Sequence, residues 1–117
     1  MTDIKYLHSG ARASQAVTVG QHVETAGLVA RCLDQGIKQQ TECVLAQLDQ
    51  LLEEVGSSNH QIMKIQIWLA NMDDFNEMNQ VYDAWVSHLN KPARACVGAQ
   101  LASPDYLIEI QATAVLH

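Results

Sequence analysis

Apolar side chains recur along this chain at two periods, and the change from one to the other marks its elements. Residues 16–19 and 23–30 are short runs rich in Val, Thr and Ala around Gly20-Gln21, the pattern of two strands and a turn. Residues 3–7 add a strand at an edge. From Thr41 the spacing lengthens: Thr41, Val44, Leu45, Leu48, Leu51, Leu52 and Val55 line one helical face. Gly56 ends that helix as a left-handed cap, and Ser57, Ser58 and Asn59 form the turn. Residues 62–70, IMKIQIWLA, then alternate, with Ile65, Ile67 and Leu69 on one side and Lys64, Gln66 and Trp68 on the other. Asn71 or Asp73 can cap a second helix, whose buried stripe is Phe75, Met78, Tyr82 and Trp85. Asn90-Lys91-Pro92 breaks it.

The closing segment reads as a hairpin, residues 94–101 and 107–115 around a Ser103-Pro104-Asp105 turn. In its first strand Ala95, Val97, Ala99 and Leu101 oppose Arg94, Cys96, Gly98 and Gln100. In its second, Ile108, Ile110, Ala112 and Ala114 oppose Leu107, Glu109, Gln111 and Thr113. If both apolar rows meet the helices, Arg94 and Glu109 share the other face, with Glu109 across from Cys96 or Gly98.

The order is strands, helix, strand, helix, two strands. It predicts one α+β domain over residues 1–117, a two-layer sandwich with a mixed six-stranded sheet and two helices on one face. Nothing in the chain covers the second face, which is assigned Trp68, Leu107 and Cys96. A half-apolar open face implies an oligomer.

Composition narrows the functions. The formal net charge is −6 and only seven residues are Lys or Arg, without a basic stripe, which argues against nucleic acid as a partner. No apolar run reaches the roughly 18–20 residues of a membrane span, and MTDIKYLHSG lacks the basic-then-apolar pattern of a signal peptide. Cys32, Cys43 and Cys96 are odd in number and form no CxxC, so a cytoplasmic chain with three reduced, independent thiols is expected.

Arg94 and Glu109 admit two readings. The plainer is an exposed ion pair of little energetic weight. The other is chemical: an arginine fixed just after Pro92 holds a carboxylate in two parallel hydrogen bonds, a glutamate orients a water, and Gly98 leaves room for a ligand. Cys96 reads as a small buried hydrophobe or, beside Arg94, as a thiolate. The five histidines show no ligand spacing; His22 and Glu24 share a strand face, too few groups for a metal site. Trp68 and Trp85 fill interface and core. No serine sits in a nucleophile elbow.

The segments "GSS…IMKIQIWLANMDDFNEMNQVYDAW…PARACV…YLIEIQATA" resemble the Rid superfamily (YjgF-like proteins, reactive intermediate deaminases), over about residues 16–115. The DAW helix end and the ARASQAV opening look most like a subgroup of short, uncharacterised members. The resemblance implies a chorismate-mutase-like fold and a homotrimer whose sheets form an inner barrel, with three ligand clefts between subunits. It implies hydrolysis of 2-aminoacrylate-derived imino acids to 2-keto acids and ammonia, without metal or cofactor, because a protonated imine is already electrophilic. The arginine of P-A-R-x-C, which grips the substrate carboxylate, matches Arg94, and the cysteine two residues on matches Cys96. The glutamate of the last strand, which positions the attacking water, matches Glu109. The asparagine of N-x-x-Y matches Asn79, and the glycine of S-G-Q matches Gly27 within Ala26-Gly27-Leu28. Two departures are marked: founding members carry a cleft-lining tyrosine in G-P-Y-x-Q, where Ala13 stands here, and the typical S-G-Q reads Ala26-Gly27-Leu28, which keeps only the glycine. A carboxylate-binding or regulatory module without turnover therefore remains an alternative. A ribonuclease or translation inhibitor, a name attached to the superfamily, is a third, opposed by the charge.

Overall fold

The computed structural model describes residues 3–117. Its strands are β1 (Ile4–Leu7), β2 (Ala16–Val19), β3 (His22–Thr25), β4 (Leu28–Val29), β5 (Ile62–Leu69), β6 (Ala93–Gly98) and β7 (Ile108–Val115), and its helices α1 (Ile37–Glu54) and α2 (Phe75–Val86). The sheet runs β1-β2-β3-β7-β5-β6, with β4 also paired to β7. All pairs are antiparallel except β5–β6, the one pair that needs a crossover, which α2 supplies. The predicted two-layer α+β architecture is the one observed.

The strand expected over 23–30 is split, so the sheet has seven strands arranged six across. Thr25 causes the split. Its Oγ1 donates to the Ala26 carbonyl at 2.8 Å and accepts from the Ala112 amide at 3.0 Å, replacing a ladder bond. The Ala26 amide turns away to the Gln15 carbonyl.

The helices cover one face because each is apolar on one side. Leu45, Leu48 and Leu52 of α1 and Met78 of α2 are fully buried against Ile65, Ile67 and Leu69 of β5 and Ile108 and Ile110 of β7. Burial of each such side chain contributes about 1.5–3 kcal/mol. A bulge at Met63 lets both Ile62 and Ile65 face inward. Gly56 ends α1 at φ +90°, its amide donating to the Glu53 carbonyl and that of Ser57 to Leu52, the left-handed cap expected from sequence. Asn71 caps a 3₁₀ turn (Met72–Asp74) that leads into α2.

The closing hairpin is not formed. The β5 strand lies between β6 and β7, so the 103–105 turn joins strands that never pair. Parallel pairing with β5 is open to β6 because α2 carries the chain across the sheet. Gln40, buried in α1, holds the long connection instead: its Nε2 donates to the Asp105 carbonyl at 2.9 Å, and its Oε1 accepts from the Leu107 amide at 3.0 Å.

The expectation of three independent thiols is also corrected. Cys32, in the loop before α1, is bonded to Cys43 within α1, and only Cys96 is free. The loop folds back on the helix and brings the two Cα atoms to 6.5 Å, within bridging range, which spacing along the chain does not reveal. Among the described residues, no helix is long and apolar enough to cross a membrane.

Asp49 joins α1 to α2. Both its oxygens accept from Trp85 Nε1, at 3.1 and 3.2 Å, and Oδ1 accepts from Asn59 at 3.0 Å. Burial outweighs these hydrogen bonds and raises its pKa above the ordinary 3.8. The folded state thus holds its proton more tightly than the unfolded chain. The contribution of Asp49 to stability is greatest below the ordinary value and declines as pH rises through the folded-state pKa. The stability of the wild type minus that of Asp49→Asn, from urea unfolding, should therefore fall as pH is raised from 3 to 7; a difference that rises refutes the assignment.

Candidate functional site

Arg94 enters the site from the edge strand β6. It lies opposite Ile65 in the parallel ladder, and Cys96 lies opposite Ile67. Both partners are fully buried beneath the helices, so Arg94 and Cys96 point to the helix side. Ala95 and Val97 take the open face, Val97 being 47% exposed. This reverses the predicted facing of β6. The cause is α2, which meets the strand with Phe75, Asn79 and Tyr82, an i, i+4, i+7 stripe. That stripe receives a guanidinium: Arg94 Nη1 donates to Asn79 Oδ1 at 2.7 Å, and Cζ stands 4.7 Å from the Tyr82 ring centroid and 5.9 Å from that of Phe75. An edge strand accommodates an inward charge that a central strand would not.

Arg94 stays exposed. Among the described residues no carboxylate lies within 4.0 Å of it, and Asn79 is the only hydrogen-bond partner of its guanidinium. With five N–H groups in a rigid fork, it keeps donors for a planar anion. Cys96 beside it is half-buried. Burial raises its thiol pKa, and the charge of Arg94 only partly offsets this. Its thiol is protonated near neutral pH, which fits the packing role better than the nucleophile.

Glu109 belongs to the opposite face. It sits between buried Ile108 and Ile110 on β7, flanked by Trp68 of β5 and Val29 of β4. Gly27, exposed at the break that Thr25 makes, lies against it: a Cβ there would stand 2.9 Å from the Glu109 carboxyl carbon and 3.3 Å from its Cγ, besides striking Oε2. A side chain here would push the end of Glu109 aside. Within one chain the structure thus parts the candidate residues into two groups, Arg94, Cys96 and Asn79 on the helix side and Glu109 with Gly27 on the open side. The expectation that Arg94 and Glu109 share a face, with Glu109 across from Cys96 or Gly98, does not hold.

Other expectations fall as follows. Beside Gly98 the space belongs to Met72, whose Cγ would be 3.1 Å from an added Cβ, rather than to a ligand. Ala13 is exposed in the loop between β1 and β2, its carbonyl accepting from the Gly10 amide at 2.8 Å. His22 and Glu24 do pair on the open face, 2.5 Å apart, and Thr113 donates to Glu24 at 2.7 Å. Slight burial works to raise the Glu24 pKa, but the hydrogen bonds of Thr113 and His22 and the charges of His22 and Lys64 prevail and leave it lowered. Phe75 and Tyr82, read from sequence only as buried stripe, are the seat of Arg94; their spacing with Asn79 was the available signal.

Two helices over one face of a mixed sheet make this a small two-layer α+β protein. The family model described as Endoribonuclease L-PSP matches residues 4–116, and the chain belongs to that family, the YjgF/Rid proteins. A RutC family protein of Haemophilus influenzae is 42% identical over 78 residues, 67% of each chain. A YjgF-family protein of Neisseria meningitidis has a structure similar at TM-score 0.92 and 41% identity, over 98% of this chain and 96% of its own. A Pseudomonas aeruginosa structure superposes at TM-score 0.94 with 31% identity, over 98% and 100%.

Under denaturing conditions a thiol reagent should titrate one thiol per chain before reduction and three after it. In the folded protein, alkylation of Cys96 should keep accelerating up to pH 9. A plateau near pH 7 would instead mark a thiolate.

Proposed function

We propose that the chain is an imine deaminase, hydrolysing small 2-imino acids to 2-keto acids and ammonia in clefts between the subunits of a homotrimer. The observation that carries this reading is Arg94, a seated, exposed guanidinium without a carboxylate partner among the described residues of an acidic chain. The family assignment supports it. The division of Arg94 and Glu109 between two faces supports a shared cleft, since the two meet on one small substrate only across an interface. One copy supplies Arg94, Asn79 and Cys96, and a neighbour supplies Glu109 and Gly27. The open face is suited to association, with Ile4, Tyr6, Val19 and Val97 all exposed on it.

In this scheme Arg94 holds the substrate carboxylate in two parallel hydrogen bonds. Glu109 orients a water toward the imine carbon and accepts its proton. The new C–O bond gives a carbinolamine. The nitrogen takes up a proton and leaves as ammonia while the C=O bond forms. One water is consumed for each imine, and positioning supplies most of the rate gain.

Ala13 favours a second reading, a carboxylate-binding module without turnover, because a methyl stands where the deaminating relatives were expected to place a cleft-wall tyrosine. Endoribonuclease, the description of the family model, has less support here: with net charge −6 and no basic stripe, little attracts RNA.

The test is ammonia release from 2-iminobutyrate generated enzymatically in the assay. The wild type should accelerate it, and Arg94→Ala should lose roughly 100-fold or more in kcat/KM while keeping its secondary structure and assembly. Equal rates for the two proteins would sink the scheme. A wild type that is stabilised by 2-oxobutyrate but inactive selects the binding module. Sedimentation should give a species of three chains of 12.9 kDa each; a monomer removes the shared cleft.

A further inference from the structure

We infer that Tyr82 is a positioning residue for the site, its ring fixing the direction in which Arg94 presents its free N–H groups and thereby setting carboxylate affinity. The inference rests on the reading of Arg94 as the carboxylate receptor and extends it to a residue that no substrate reaches: the Tyr82 side chain is almost wholly buried, beneath the guanidinium.

Three observations carry it. First, the seat is built from one helix face. Asn79 holds Arg94 Nη1 at 2.7 Å while the Tyr82 centroid lies 4.7 Å from Cζ, so one contact fixes the end of the guanidinium and the other fixes its body. Second, the Tyr82 ring is itself packed against a second aromatic ring. The Trp85 ring packs on it at 5.6 Å with a 48° tilt, and Trp85 Nε1 donates to both oxygens of Asp49 on α1. The direction of Arg94 is thus referred through two aromatic rings to the main helix of the core, not left to an edge strand and a long flexible stem. Third, the partner is of a kind that leaves the cation available. Burial raises the Tyr82 pKa, against the opposing charge of Arg94, so the ring remains a neutral phenol. A neutral π face attracts a guanidinium without ion-pairing with it, whereas a carboxylate in the same place would occupy the fork that a substrate needs. Ordering Arg94 before the ligand arrives removes an entropic cost from binding.

The ring, and not the hydroxyl, is the active feature, and this separates the role from general packing. In Tyr82→Phe, the dissociation constant for 2-oxobutyrate should stay within about 3-fold of wild type. In Tyr82→Leu, which keeps an apolar side chain but no ring, binding should weaken by roughly 10-fold, within the range of a cation–π contact. With 2-iminobutyrate, KM should rise similarly while kcat changes less than about 3-fold. The signature that a merely structural role would not move is the Arg94 Nε–H resonance. It should be shifted upfield by the ring in wild type and Tyr82→Phe, and return toward the position of a free arginine in Tyr82→Leu. If Tyr82→Leu does not fold, the wild-type resonance decides: an Arg94 Nε–H at the free-arginine position overturns the inference, as does tight 2-oxobutyrate binding by a folded Tyr82→Leu. A Tyr82→Phe variant as weak as Tyr82→Leu overturns it in favour of the hydroxyl. A wild type that releases no ammonia, yet shifts its Arg94 resonance on adding 2-oxobutyrate, loses the deaminase reading and keeps this one. A wild type that does not respond to 2-oxobutyrate overturns the inference with the receptor on which it rests.

Discussion

The contact between Arg94 and the second helix organises the candidate site. An exposed arginine on an edge strand would ordinarily sample many rotamers and pair loosely with whatever carboxylate is near. Here α2 meets it with Phe75, Asn79 and Tyr82 on one face, and the strand turns its charged row inward to take the seat. The rest follows. With Arg94 and Cys96 toward the helices, Ala95 and Val97 are sent to the open face, adding apolar surface there. The crossover through α2 makes β5 and β6 parallel, which places β5 between the strands that carry Arg94 and Glu109.

Much of this fold was legible. The long apolar stripe of α1, its Gly56 stop and the alternation of Ile65, Ile67 and Leu69 are local signals, and each appears where its period places it. The candidate residues were named through resemblance, and how the fold groups them was not legible. Alternation in residues 94–101 marks two faces but cannot say which one meets the helices. The rule that apolar rows go inward failed because the neighbouring helix offers a polar and aromatic surface, not an apolar one. The hairpin failed for a related reason: a turn-like Ser103-Pro104-Asp105 joins two strands without specifying that they pair. The Cys32–Cys43 bond and the role of Gln40 are tertiary facts, set by how a loop folds back on α1.

Some constraints link the two layers. Gln40 reaches from α1 to the segment just before Glu109, and Thr25 opens the β3–β4 break that brings Gly27 against that same glutamate. Buried polar side chains that satisfy backbone groups in this way specify geometry more than they add stability. The position of Glu109 is therefore held from both flanks by residues that carry no chemistry themselves.

The separation of Arg94 from Glu109 has a consequence for how activity is owned. On the proposed reading no single copy of the chain is an enzyme; the contact between copies is. Dilution that separates subunits would then extinguish turnover without unfolding anything, by mass action alone. Damage would also distribute unevenly. A copy lacking only its arginine would still lend its glutamate to the next subunit, so assemblies mixing two complementary defects would retain some whole clefts, where either defect alone would retain none.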